Sequence, residues 1–352
     1  MKTLGIIGGG QLGRMLAMAA ARLSLRTVIL EPQAPCPAGQ VANDQIVADY
    51  DDEIALGELA ARCDWVTYEF ENVPVRAAEL LARNVEVCPP PRALEVSQDR
   101  LVEKRFLNDC DIPTARFLPV DSQAGLEAAL AEFGGRGVLK TRRMGYDGKG
   151  QLMFRRVGDS ADGAFAKLGS VPLILESLVE FTREISVIGV RSRSGEFVAY
   201  DPAENVHRDG ILHTSTLPAR IGDETARAAI AAARRLMEGL GYVGVIGIEY
   251  FVMADGSLVA NEIAPRVHNS GHWTEAACAV SQFDNHVRAV AGLPLGQTGR
   301  HSDCVMTNLI GHDVDNLASW LKSPDTFVHL YGKEEARIGR KMGHVTRISP
   351  RS

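Results

Sequence analysis

Up to Cys88 the chain alternates short apolar runs with one-sided helical patterns, a rhythm that few folds satisfy. Thr3 to Ile7 reads as a buried strand, after which Leu12, Met15, Leu16, Ala19 and Leu23 share one helical face. Thr27 to Leu30, Gln45 to Ala48 and Trp65 to Tyr68 repeat the strand pattern, with a helix around Ile54 to Ala61. Strands separated by helices pair in parallel, so this segment predicts a doubly wound sheet. Cys88-Pro89-Pro90-Pro91 ends the rhythm, because proline has no N–H for a sheet ladder or a helix interior. Residues 1–98 are therefore assigned to an N-terminal Rossmann-like domain.

A helix is expected over Arg100 to Asp109, ending before Ile112-Pro113. Val138 to Ile174 reads as short strands around a glycine-rich loop, making residues 99–174 a small α+β lid with a preceding helix. From Leu175 onward the strands lengthen and turn antiparallel in character: Glu184 to Arg191, Glu196 to Tyr200 and Gly210 to Leu217. One helix, Glu224 to Leu240, interrupts them, with Ile230, Ala233, Leu236, Met237 and Leu240 on one face. Residues 175–352 form a larger, mainly antiparallel domain with a C-terminal β segment. The fold class is thus α/β and α+β.

Composition excludes several function classes. The 352 residues carry a net charge of −6 without any Lys/Arg block, which argues against a nucleic-acid partner. The longest uncharged stretch, Pro32 to Asn43, has 12 residues. A membrane span needs about 20 apolar ones. The first residues lack a signal-peptide pattern, and the six cysteines lie far apart with no Cys-x-x-Cys. A cytoplasmic, reduced, soluble protein is expected.

Two local patterns point to chemistry. Gly8-Gly9-Gly10-Gln11-Leu12-Gly13 follows a strand, opens a helix and is followed by Glu31 at the end of the next strand. That is the dinucleotide fingerprint, but such a turn offers backbone N–H groups to any phosphate, and no second Rossmann half follows. A phosphate site is expected, with an NAD-dependent oxidoreductase as a remote alternative. The second pattern is a hairpin. With Asp255 and Gly256 as the central turn residues, Glu249 and Glu262 face each other, with Gly247, Phe251, Ala260 and Ala264 on the same face. Opposed like charges are destabilising unless one is protonated or a cation lies between them. Mg²⁺, held by carboxylates and substrate phosphates, suits the pair. Lys140 at a strand end, Arg142-Arg143 and the loop Gly145 to Gly150 would bring positive charge and N–H groups to phosphates.

Arg100, Asp111-Ile112-Pro113-Thr114, Lys140, Gly145 to Gln151, Glu176-Ser177-Leu178-Val179, Glu184, Glu249 and Asn261-Glu262 resemble, in that order, the ATP-grasp carboxylate–amine ligases. Within them, Tyr68 to Val73, Lys140 to Gln151, Glu204 to His207, Asn261 to Trp273 and Tyr331 to Lys341 are similar to the N5-carboxyaminoimidazole ribonucleotide synthetase family of purine biosynthesis. The resemblance implies an ATP-grasp fold and ATP-dependent carboxylation of 5-aminoimidazole ribonucleotide with bicarbonate through carboxyphosphate. It assigns Arg100 and Lys140 to ATP phosphates. Gly145, Tyr146, Asp147, Gly148, Lys149, Gly150 and Gln151 become the loop above them. Glu176, Ser177, Leu178 and Val179 become the adenine hinge, Glu184 the ribose acceptor, and His207 and Asn261 further nucleotide contacts. Period two, however, puts the Asn261 side chain on the face opposite Glu262. Glu249 and Glu262 would hold Mg²⁺, although Ala264 stands where many such ligases carry a further Asn ligand. Gln11, Leu12, Lys333 and Arg340 would hold the ribonucleotide phosphate, and Glu69, Glu71 and Asp147 its sugar or amine. Arg266 and His268 would hold bicarbonate and acyl-phosphate oxygens, with Asp147 or His268 accepting the amine proton. A homodimer is implied as well. The nearest alternative is the formate-dependent glycinamide ribonucleotide transformylase, which shares the acidic hairpin followed by Pro-Arg-x-His.

Overall fold

A computed structural model describes residues 1–145 and 150–352 of the chain. The first layer is a parallel sheet: β1 (Thr3–Ile7), β2 (Arg26–Leu30), β3 (Asp44–Ile46), β4 (Trp65–Tyr68) and β5 (Glu86–Val87), in the order β3-β2-β1-β4-β5. Helices α1 (Gln11–Arg22), α2 (Glu53–Arg62) and α3 (Val75–Ala82) connect its strands. The third expected strand is shorter than read, stopping at Ile46. Beyond the prolines the chain does not drift: Pro91 opens α4 (Pro91–Ser97) at the first helical position, where a missing N–H costs nothing. Helix α5 (Arg100–Asp109) follows, capped by the Asp99 carboxylate on Leu101 and Val102 N–H.

A small antiparallel sheet comes next. It comprises β6 (Phe117–Val120), β7 (Gly137–Thr141), β8 (Gln151–Phe154) and β9 (Leu173–Glu176), ordered β6-β9-β7-β8, with α6 (Gln123–Glu132) and α7 (Ala164–Lys167) beside it. The remaining strands form one nine-stranded sheet. Its members are β10 (Arg183–Arg191), β11 (Phe197–Ala199), β12 (Ala203–Arg208), β13 (Ile211–Leu217), β14 (Gly244–Val252), β15 (Leu258–Ala264), β16 (Ser302–Ile310), β17 (Thr326–Leu330) and β18 (Lys341–Pro350). Helices α8 (Asp223–Gly239), α9 (Thr274–Ala277), α10 (Gln282–Val290) and α11 (Leu317–Lys322) are set between them. Even positions of β14 (Ile246, Ile248, Tyr250, Val252) bury against Ala233, Leu236 and Met237 of α8. Odd positions of that strand therefore face the other way, and on that side the functional residues gather. Strand β12, which carries His207, had no strand reading in the sequence, because its Glu, Asn, His and Arg mask the pattern.

The helical face read after the glycine turn does not serve its own sheet alone. Leu12, Met15, Leu16 and Ala19 join Phe283, Val287 and Val290 of α10, and Tyr331, in one core shared with the large sheet. His286 stitches the same joint. Val245 N–H donates to its Nδ1 at 3.1 Å, so its protonated Nε2 meets Thr67 Oγ1 of β4 at 2.8 Å. Among the described residues no helix is long and apolar enough to cross a membrane, and all six cysteines are free thiols.

Burial pushes the His286 imidazole down to about 3, so the unfolded chain binds a proton that the folded chain refuses between about pH 3 and 6.5. Stability should rise with pH through that window. His286→Gln keeps a donor and an acceptor but cannot titrate. Compared with the parent between pH 6.5 and 5, it should lose about 2 kcal/mol less in urea melts.

Candidate active site

The acidic hairpin differs from its sequence reading in a way that matters. Its loop holds three residues, Ala254-Asp255-Gly256, closed by Met253 N–H to Ser257 O at 2.9 Å, with Gly256 at φ 84°. The register therefore starts one step out: Val252 pairs with Leu258, Phe251 with Val259 and Tyr250 with Ala260. A bulge at Asn261 then adds one residue to β15, and Glu249 meets Glu262 after all. Ala260, expected on the acidic face, lies instead with Tyr250 in the apolar cluster under α8. The bulge also cancels the strict alternation that set Asn261 opposite Glu262.

One face of α5 holds this bulge. Arg100, Glu103 and Lys104 stand three and four residues apart, hence on one side of the helix. Arg100 NH1 reaches Glu262 Oε2 at 3.2 Å, Glu103 Oε1 accepts from Ile263 N–H at 2.7 Å, and Lys104 Nζ donates to Asn261 O at 3.1 Å. The backbone groups flanking the bulge thus gain side-chain partners. Burial lifts the Glu103 carboxyl to about 7. Lys104 also sits 3.3 Å from Glu176 Oε2, which Lys140 approaches to 3.0 Å. Burial alone would raise the Glu176 carboxyl, but the two ammonium groups hold it at about 2. The other oxygen, Oε1, is buried with no hydrogen bond among the described residues.

The acidic face continues across the sheet. Phe251 of β14 is the register partner of Glu184, and Glu184 Oε2 lies 3.0 Å from His207 Nδ1. Glu249 is half-buried; desolvation and Glu262 opposite raise its carboxyl above the usual range. His268 packs over the same face because residue 247 is glycine: a Cβ there would come within 2.6 Å of His268 Cβ. Ser186 Oγ donates to Ser270 Oγ at 2.6 Å, and Ser270 Oγ lies 2.8 Å from His268 Nδ1. The Ser270 N–H also points at Nδ1, so Nδ1 carries the lone pair and Nε2 the proton, 3.7 Å from Glu249 Oε1. Burial holds this imidazole neutral, at about 3.

At the glycine turn a carboxylate of the chain has moved in. Glu69 accepts from Gly10 N–H at 2.5 Å and Gly13 N–H at 2.7 Å, and a Cβ on Gly10 would fall 2.5 Å from its Oε1. Gln11 and Leu12 N–H are left without a described partner at the start of α1. Glu31 turns back on Gly9 N–H at 2.8 Å and the Tyr50 hydroxyl at 2.5 Å, so it is engaged inside the domain. Arg266 Nε binds Glu71 Oε2 at 2.5 Å; despite burial, this guanidinium keeps the Glu71 carboxyl at about 2. The C-terminal segment joins the same corner. Gln40, held by Arg14, donates to Gly332 O at 2.8 Å, beside Lys333, whose Nζ donates to Lys341 O at 2.7 Å. Arg340 NH1 donates to Glu335 O at 3.0 Å.

Residues 1–98 match the ribonucleotide synthetase preATP-grasp domain, 105–283 the ATP-grasp domain, and 304–352 the phosphoribosylaminoimidazole carboxylase C-terminal domain. The N5-carboxyaminoimidazole ribonucleotide synthase of Brucella melitensis is 63% identical over 351 residues, covering 99% of this chain and 97% of that protein. The chain belongs to the N5-carboxyaminoimidazole ribonucleotide synthase family. The Pseudomonas aeruginosa member is 47% identical, over 97% of this chain and 93% of its own. A crystal structure of an ADP complex of such a synthetase superposes with a TM-score of 0.96 at 44% identity, covering 99% of this chain and 92% of that one. The Aspergillus clavatus synthase, in complex with ADP and 5-aminoimidazole ribonucleotide, gives 0.93 at 32% identity, covering 99% and 94%. This chain is an ATP-grasp ligase of purine biosynthesis, and a nicotinamide reading of the glycine turn is set aside.

Within this synthase-family chain the structure draws Arg100, Lys140, Glu176, Glu184, His207, Glu249, Asn261, Glu262, Arg266 and His268 around the acidic face. It brings Gln11, Leu12, Glu69, Glu71 and Lys333 towards the glycine turn. Gly145, Gly150 and Gln151 flank the loop above β7 and β8, and Ser177, Leu178 and Val179 follow β9, half-buried. Tyr146, Asp147, Gly148 and Lys149 lie outside the described residues. Glu103 and Lys104 escaped the sequence reading. Their signal was a pair of charges set four and three residues before the buried Leu107, on a helix that reads as merely polar. Lys104→Met leaves Asn261 O without a donor and takes from Glu176 one of its two ammonium neighbours. Urea denaturation should show a loss of about 3 kcal/mol.

Proposed function

We propose that this chain carboxylates 5-aminoimidazole ribonucleotide with bicarbonate at the expense of ATP. The products are N5-carboxyaminoimidazole ribonucleotide, ADP and phosphate, formed through carboxyphosphate in de novo purine biosynthesis. The observation that carries the reading is the pairing of Glu249 with Glu262 on a sheet face flanked by Arg100 and, through Glu176, by Lys140. Two carboxylates directly opposed across the strand pair, with the Glu249 carboxyl raised by its surroundings and by Glu262, suit a hard divalent cation. Mg²⁺ is the cation proposed for Glu249 and Glu262. When bound, it neutralises charge where the anionic bicarbonate meets the terminal phosphate.

The chain's own residues supply the rest. Arg100 and Lys140 face the phosphates; Glu176 fixes Lys140 in place, while the backbone from Glu176 to Val179 reads the adenine. Glu184 accepts from the ribose, with His207 beside it and Asn261 nearby. Arg266, steadied by Glu71, holds bicarbonate oxygens. His268 presents Nε2–H, so it acts as a donor to acyl-phosphate oxygens, and proton removal from the amine falls to Asp147. Gln11 and Leu12 N–H, with Lys333 and Arg340, take the ribonucleotide phosphate; Glu69 shapes their turn, and Glu69 and Glu71 face the sugar side. Residues 99–174, with the loop Gly145 to Gln151, close over carboxyphosphate and exclude water, which would hydrolyse it. The reading includes a homodimer in the cytoplasm, checked by sedimentation and by fractionation.

ADP release should require aminoimidazole ribonucleotide, bicarbonate and a divalent cation together, and omitting any one should stop it. Release instead with formate and glycinamide ribonucleotide would overturn the assignment. Glu249→Gln should raise the Mg²⁺ requirement by more than the roughly 10–100-fold typical of outer partners of a metal site. Gly247→Ala should lower kcat about a hundredfold by displacing His268. Far-ultraviolet circular dichroism of that variant should match the parent.

A further inference from the structure

Away from the acidic face, one group of side chains has the make-up of a transition-metal ligand set. Glu275 stands in α9, just past the Arg266 to Trp273 run, while His329 of β17 and His344 of β18 are direct cross-strand partners. Glu275 Oε2 is 3.2 Å from His329 Nδ1 and 3.8 Å from His344 Nε2, and the three atoms lie within 4.8 Å of one another. A tetrahedral ion with ligands at about 2.0–2.1 Å spaces them about 3.3 Å apart. Glu275 Oε2 is buried, and no hydrogen bond of acceptable geometry reaches it among the described residues. His344 is 3% exposed, and its Nδ1 meets the buried Tyr331 hydroxyl at 3.0 Å. Such an outer bond fixes the ring and leaves Nε2 for the ion.

We propose that Glu275, His329 and His344 bind a divalent first-row transition metal, Zn²⁺ foremost, with one coordination position left for a small ligand. Two imidazoles and one carboxylate select such ions over Mg²⁺, which keeps to oxygen. The site sits at the foot of the Tyr331 to Arg340 segment, with His329 just before it and His344 just after. The bound ion fastens both flanking strands to α9. The two rings stack with centroids 5.3 Å apart and 14° between planes, so closing on a shared ion turns His329 out of that stack.

The test uses the full chain, stripped with a chelator and returned to excess Mg²⁺ so that oxygen sites are filled. Co²⁺ titration should raise the visible bands of low-symmetry four- or five-coordinate cobalt. Zn²⁺ should bind by calorimetry with a stoichiometry of one and raise Tm. Glu275→Gln and His329→Gln should each weaken Zn²⁺ binding about tenfold or more and remove the bands. His312→Gln, at an exposed histidine beside Asp315, should change neither. Absence of Zn²⁺ binding by the parent, or equal binding by the parent and both cluster variants, would overturn the proposal. The cluster would then be a packed histidine–glutamate unit only.

Discussion

The bulge at Asn261 is the constraint on which the acidic face depends. A three-residue hairpin loop, left to regular pairing, would carry Glu262 past Glu249, and the sheet would have no paired acids. One extra residue in β15 restores the match. That residue is costly, since a bulge exposes backbone groups that need partners. Helix α5 supplies them: Lys104 takes Asn261 O and Glu103 takes Ile263 N–H, both side chains fully or nearly fully buried. The helix that completes the hairpin also brings Arg100 to Glu262. Positioning and charge therefore come from one helical face.

The buried charges around this face form a chain, and no single strong pair dominates it. Lys140 and Lys104 share one oxygen of Glu176, and Lys104 passes on to the bulge. Buried ions stabilise little on balance, because desolvation offsets attraction, but removing one member leaves its partner stranded. Such a network is suited to holding geometry. The neutral histidines serve the same end. His268 is locked through Ser270 and Ser186, and His286 through Val245 N–H and Thr67, each as a single tautomer.

The N-terminal glycine turn shows how a strong motif is reinterpreted by its surroundings. Its glycines admit the Glu69 carboxylate against Gly10 and Gly13 N–H, while Glu31 is drawn back onto Gly9 and Tyr50. Three of the turn's N–H groups, those of Gly9, Gly10 and Gly13, are thereby spent inside the protein. Those of Gln11 and Leu12 have no described partner, and Gly332 arrives from the far end of the chain against Gln40 and Arg14, the latter on the same helix. Helix α1 then packs on α10, so the parallel sheet and the large sheet share one core.

By itself the sequence determined the alternation of the first sheet, the α5 boundaries, the antiparallel character of the second half and the identity of nearly every residue on the acidic face. These are local properties: hydrophobic period, proline and glycine placement, and motifs that stay together along the chain. It also named Glu249 and Glu262 as partners, but through a register wrong at Tyr250 and corrected at Asn261. Only the tertiary structure decided that bulge, because its stability lies in Glu103 and Lys104, far away in sequence. The same holds for the His268 tautomer and for the meeting of Gln40 with Gly332. Each depends on a hydrogen bond between distant segments, and no local pattern encodes which buried donor will find which acceptor.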